Sequence, residues 1–237
     1  MCGRYSLTHS AEEIAARLDV DVDATQGWDR RVNAAPTDRM PVVRDLGEKR
    51  HMDLLRWGLV PFWAEDLRVG ARMINARAET VATKPAFRRA FSRQRCLVVA
   101  DGYYEWVTKD GKKWPIRITR SDGELLTLAG IWEQWRPKDQ GDGAEAVESF
   151  SILTMEARGV VRDVHHRMPV VCEEAVRQDW LSSEEPAAVL ARLQERWDDS
   201  ALDLIPVNRR LNKVGEQGEE LLEEVEEPGL PRVRREL

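Results

Sequence analysis

A chain of 237 residues, 42% hydrophobic and 33% charged, can bury one substantial core, and single α+β or β-barrel domains commonly reach this size. A formal net charge of −6 opposes attraction of the whole molecule to phosphate, which argues against a protein that coats nucleic acid or anionic membrane through its total charge. No run approaches the ~18 apolar residues of a bilayer span or an apolar signal core, and three cysteines without a CxxC pair suit a reducing compartment, so a soluble cytoplasmic protein is expected.

In chain order, Ser10-x-x-Glu13 is a capping box that opens a short helix with Ile14 and Leu18 on one face. From there to about residue 171 the pattern is mainly strands, predicted at 40–43, 54–59, 97–100, 103–107, 114–119, 125–131, 149–153 and 168–171. Lys109-Asp110-Gly111-Lys112 and Ser121-Asp122-Gly123 are turn signals that divide the middle strands into antiparallel hairpins. A helix is predicted to start near Thr83, with Pro85 in its first turn and Phe87 and Phe91 facing inward. Residues 136–148 read as a polar loop, 173–199 as helix divided by Ser182-Ser183 and Pro186, and 204–207 as a last strand. The expected fold is α+β, with a strand-rich antiparallel core curled into a barrel and flanking helices. One domain over 2–215 is followed by an acidic tail, 216–237, expected to fray, and the chain is expected to be a monomer.

The charge is polarised. Between Arg68 and Arg95 eight basic residues stand against one acid, Glu79, whereas nine acids face three arginines from Glu173 to Asp203 and eight face three from Glu216 onward. Arg88, Arg89 and Arg93 read equally well as the solvated face of one helix.

Of the cysteines, Cys96 and Cys172 lie in apolar runs and read as core thiols. Adjacent His165 and His166 are poorly placed to ligate one tetrahedral ion, so no metal is expected. Cys2 differs. Once Met1 is removed it carries both a free α-amine, which ordinarily titrates at about 7.7–8.0, and a thiol, which ordinarily titrates near about 8.5. The amine can condense with an aldehyde and the thiol then close a five-membered thiazolidine. The thiolate can instead attack an amide carbonyl with the amine as its base.

Further strings narrow the choice: Trp57-Gly58-Leu59-Val60-Pro61-Phe62-Trp63, Ile74-Asn75-Ala76-Arg77-Ala78-Glu79-Thr80, Ala100-Asp101-Gly102-Tyr103-Tyr104-Glu105-Trp106 and His165-His166-Arg167-Met168-Pro169. With Met1-Cys2-Gly3-Arg4, and in this order, they resemble the SOS response-associated peptidase (SRAP) family from Cys2 to about Val171. The resemblance implies a sensor that covalently shields abasic sites in single-stranded DNA in the DNA damage response, with no cofactor, nucleoid-associated when bound to a lesion. It implies that Cys2 supplies both nucleophiles and Asn75 holds the amine or the sugar. Glu105 accepts a proton from the amine, and His165 shuttles a proton from a pKa of about 6.5. His166 stands where most members carry Asp, Val99 replaces a Pro and Asn208 a Ser. The family name implies a peptidase that removes whatever precedes Cys2; here that is Met1 alone.

The resemblance also assigns Arg4, Arg77 and Arg167 to the DNA backbone, where guanidinium forks suit phosphate oxygens. Lys84 and Arg88 add to them, and Trp63 and Pro41 match a wedge beside the lesion, where stacking is worth about 1–3 kcal/mol per base. Taken singly these residues have plainer readings: Glu105 as an outward-facing strand residue, Asn75 as a turn former, His165 as structural. Two other functions stay open. A class II glutamine amidotransferase also begins Met-Cys-Gly but commonly draws its oxyanion hole from an Asn-Gly pair, which this chain lacks. A non-catalytic single-stranded DNA-binding module differs from the sensor only in covalency.

Overall fold

The computed structural model describes residues 2–24, 28–47, 49–137, 145–182, 184–197 and 201–235. In chain order its elements are β1 (Tyr5–Leu7), α1 (Ala11–Leu18), β2 (Asp21–Ala24), β3 (Arg31–Ala34), β4 (Arg39–Asp45), β5 (Arg50–Trp57) and β6 (Asn75–Arg77). There follow α2 (Arg88–Arg93), β7 (Arg95–Ala100), β8 (Gly102–Lys109), β9 (Lys112–Arg120), β10 (Leu126–Trp135) and β11 (Val147–Glu156). β12 (Arg167–Pro169), α3 (Glu174–Ser182), α4 (Pro186–Arg196) and β13 (Leu202–Pro206) complete the set.

The larger sheet runs β12-β11-β10-β7-β4-β5-β2, and a parallel pairing of β11 with β5 (Ser149 opposite Arg56, Phe150 opposite Trp57) closes β4, β5, β11, β10 and β7 into a five-stranded barrel. Closure removes the two open edges that a flat sheet of these five strands would expose. Trp57, Phe150, Met40, Leu55 and Val98 are fully buried, with the Trp57 ring nearly parallel to Phe150 at 6.4 Å. A second sheet, β13-β9-β8-β1-β3, packs alongside, joined to the barrel by Tyr5 against Trp57 at 5.0 Å. The β8–β9 turn has positive φ at both Asp110 (50°) and Gly111 (70°), the mirror-image turn whose twist matches a two-residue hairpin. In α1 the capping box forms: Ser10 accepts from the Glu13 N–H, and the Glu13 carboxylate from the Ser10 N–H.

Four short strands escaped the sequence pattern: β1, β2, β3 and β6 have three or four residues each, too few for a period to show. The helix expected from Thr83 begins at Arg88, because residues 79–86 are taken up by successive turns; Phe91 is buried as expected, and Phe87 is half-buried at its N-terminus. The polar loop at 136–148 lies largely outside the described residues. The tail is not frayed through 235. Its backbone bridges Val207 at Glu224 and Leu204 at Val233, and Leu221 is buried against Tyr104, Ile205 and Val207. Its alternation of Glu with apolar residues is the pattern of a segment with one buried side.

Candidate active site

β11 organises the site. Its C-terminal half takes β6 in parallel on one side, with Asn75 opposite Ile152 and Arg77 opposite Thr154. β12 lies antiparallel on the other, with Arg167 opposite Glu156. Asn75 and the His165–Arg167 segment therefore flank one strand although they lie about ninety residues apart in sequence. Glu105 comes from β8, whose neighbour β1 follows directly from Cys2, and the Tyr104 N–H donates to the Arg4 carbonyl at 3.0 Å.

Asn75 Nδ2 donates to the Cys2 carbonyl at 2.8 Å, fixing the peptide of the candidate nucleophile. Its other amide atom, Oδ1, is buried and accepts no hydrogen bond among the described residues. Cys2 is fully buried; burial pushes its thiol pKa well up, and the nearby negative charge of Glu105 pushes the same way. Glu105 is 3% exposed, and burial raises its carboxyl above 4.5. His165 Nδ1 stands 4.0 Å from Glu105 Oε1, and the Arg167 N–H donates to that nitrogen at 2.9 Å, which puts the proton of the neutral ring on Nε2. Burial lowers the His165 pKa below 6.5. Burial thus moves both groups toward their neutral forms. His166 is exposed, stacked on His165 at 4.3 Å, and the charge of His165 lowers its pKa.

The residues matched to DNA contacts are placed unevenly. Arg77, Lys84 and Arg88 are exposed and make no ion pair among the described residues. Arg167 is committed: its guanidinium holds Glu79 through two bonds of 2.6 and 2.9 Å and reaches the Thr154 carbonyl at 2.6 Å. Arg4 is spent on Asn33 Oδ1 at 2.7 Å and the Leu211 carbonyl at 3.2 Å. Pro41 is buried in β4 opposite Leu54, so it is a barrel residue and cannot be an exposed wedge. Trp63 is 45% exposed beside Phe62 at 49%, and the Arg89 guanidinium lies 4.6 Å above the Phe62 ring. The excursion that carries this pair is closed at its base by two glycines. A Cβ on Gly58, at φ +120°, would lie 2.6 Å from the Gly70 carbonyl oxygen.

Two residues were missed from the sequence. Arg162 lines, with Arg77, His166, Arg167, Glu156 and Ala157, a cleft of about 480 Å³ beside His165, and nothing in its own neighbourhood marks it. Phe62 was legible as an aromatic next to Trp63 after Pro61, with no periodic apolar partners to bury it. Among the described residues no three His, Cys, Asp or Glu side chains converge as metal ligands.

The fold and site define an α+β class built on a closed five-stranded barrel, with Asn75 bonded to the Cys2 carbonyl and a buried Glu105 facing His165. Within that class the chain belongs to the SOS response associated peptidase (SRAP) family, whose sequence profile matches residues 1–214. It is 34% identical to abasic site processing protein YoaM of Bacillus subtilis, over 94% of this chain and 98% of that one. It is 31% identical to abasic site processing protein YedK of Escherichia coli, over 95% and 100%. A crystallised protein from Bacteroides thetaiotaomicron superposes with a TM-score of 0.84 at 26% identity, covering 94% of this chain and all of that one.

Proposed function

We propose that this protein recognises abasic sites in single-stranded DNA and crosslinks to them through Cys2, in the cytoplasm and on the nucleoid once DNA is damaged. Removal of Met1 frees the Cys2 amine. The amine adds to the C1′ aldehyde of the ring-opened sugar, and water leaves to give an imine. The thiol then adds across the C=N bond, sulfur to carbon and proton to nitrogen, and a thiazolidine closes. The observation that carries this reading is the hydrogen bond from Asn75 to the Cys2 carbonyl, with Glu105 near enough to act on the Cys2 thiol and His165 4.0 Å from Glu105. Asn75 Oδ1, buried and without a protein partner, is free to accept from the new amine or from a sugar hydroxyl. Ionised Glu105 takes the proton that the amine must lose, and neutral His165 serves as the second base.

The DNA path follows the exposed cations. With Arg167 held by Glu79, the exposed guanidiniums around the cleft without a carboxylate partner among the described residues are Arg77 and Arg162, the latter with its Nε on the Ala157 carbonyl, with Lys84 and Arg88 further along and Phe62 and Trp63 available to stack on bases. None of these contacts reads a base edge, so the lesion itself is the recognised feature. The decisive experiment incubates the Met1-processed protein with single-stranded DNA carrying one abasic site, followed by a denaturing gel. A heat-stable shifted band that disappears in Cys2→Ala is expected; no band from the wild type would sink the proposal.

A further inference from the structure

We propose that Gln217 is a positioning residue for Cys2, acting through Asn33 and Arg4; this deepens the reading above and depends on it only for the DNA readout. β1 is three residues long, with Tyr5 and Ser6 paired to β8 and Tyr5 and Leu7 to β3. So short a ladder cannot by itself fix the residues before it, and Arg4 supplies the missing anchorage. Its guanidinium holds Asn33 Oδ1 and the Leu211 carbonyl, while its own carbonyl accepts from Tyr104, the residue before Glu105.

Asn33 is in turn fully buried and fully used. Its Nδ2 donates to the Leu211 and Lys213 carbonyls at 3.2 and 3.1 Å, and its Oδ1 accepts from Arg4. Past Leu211 the chain reverses at Gly215, at φ +94°, a conformation glycine adopts without steric cost, and returns beside β3. There Gln217 closes on the Asn33 backbone in both directions: Oε1 accepts from the N–H and Nε2 donates to the carbonyl, each at 3.2 Å. A primary amide is the side chain that can do both at once. The last link of the relay, Gln217, lies just beyond the residues that the family profile matches.

The test compares Met1-processed wild type and Gln217→Ala in two assays. The first is single-turnover crosslinking to abasic single-stranded DNA across a DNA titration. The second is alkylation of Cys2 by iodoacetamide without DNA, followed by peptide mass spectrometry with Cys96 and Cys172 as buried controls. Loss of two hydrogen bonds is expected to slow the limiting crosslinking rate about three- to tenfold with the half-saturating DNA concentration unchanged. It is expected to speed Cys2 alkylation by a similar factor while both controls stay at wild-type rates. Gln217→Glu, which keeps the acceptor and loses the donor, should fall between. Wild-type alkylation of Cys2 in Gln217→Ala overturns the proposal, and so does equal acceleration of all three cysteines, which would mean general loosening. If the wild type forms no DNA crosslink, the proposed function fails on its own, and the alkylation result still decides the role of Gln217.

Discussion

The basic segment from Arg68 to Arg95 and the acidic segment from Glu216 to Arg235 carry opposite charge and use it in opposite ways. In the acidic segment most carboxylates are neutralised on the spot: Glu216 by Arg210 and Lys213, Glu220 by Arg210, Glu224 by Arg232 and Arg234, and Glu227 by Lys109. In the basic segment Arg89 pairs with Glu133, Arg68 with Asp66, and Arg95 is buried on the carbonyls of Phe91, Ser92 and Trp180. Arg72, Arg77, Lys84, Arg88 and Arg93 are exposed and form no ion pair among the described residues. Charge already paired within a protein offers little to a partner. The free cations, close to Asn75 in sequence, leave a local field that the sum of −6 conceals.

The largest effect expected is at the nucleophile: Cys2→Ala should abolish the heat-stable crosslink while leaving reversible binding to the basic segment, as read by fluorescence anisotropy. Next, Glu105→Gln should slow crosslinking on the order of 100-fold, within the range of general base catalysis. Its carboxyl is raised above 4.5 and His165 lowered below 6.5, so both bases are gained as pH rises. Wild-type rates should therefore climb between about pH 4.5 and 6.5, and the Glu105→Gln profile should lose one of the two limbs there and keep that of His165. Folding stability carries the His165 signature with the sign of a depressed pKa. It is full above the unfolded value of about 6.5 and declines as pH falls below it, and His165→Ala should remove that decline from a series of melts at several pH values.

Smaller changes test the charge comparison directly. Arg77→Ala and Arg162→Ala should each weaken DNA binding and reduce the salt slope by about 1, whereas an unchanged slope would remove the residue from the phosphate path. Glu224→Gln, on the neutralised side, should alter stability by less than about 1 kcal/mol and leave DNA affinity unchanged, because its ion pairs are partly exposed. A clear gain in affinity from that variant would mean that the acidic segment acts on DNA despite its pairing.

The elements legible in the sequence were those with enough residues to show a period or with unambiguous turn chemistry. β7 to β11 alternate or run apolar between marked turns, the Asp110-Gly111 hairpin forms as its residues dictate, and Ser10 and Glu13 form their capping box. The motif strings carried the candidate site because Cys2, Asn75, Glu105 and His165 sit in ordered, unusual peptides. Partners were invisible. The resemblance assigned Arg167 to phosphate, but Glu79 occupies its fork; it assigned Pro41 to a wedge, but in the strand expected at 40–43 Pro41 is buried.

By itself the sequence determined which local conformations are cheap and which side chains hold reactive groups: a thiol at Cys2, a carboxylate in a strand, an imidazole before a short apolar run. The tertiary structure alone decided which of those groups meet and which charges remain unpaired. Sheet pairing brings together residues with no local relation, as β11 does for Asn75 and Arg167, and burial among those partners, not residue type, sets the pKa of Glu105 and His165.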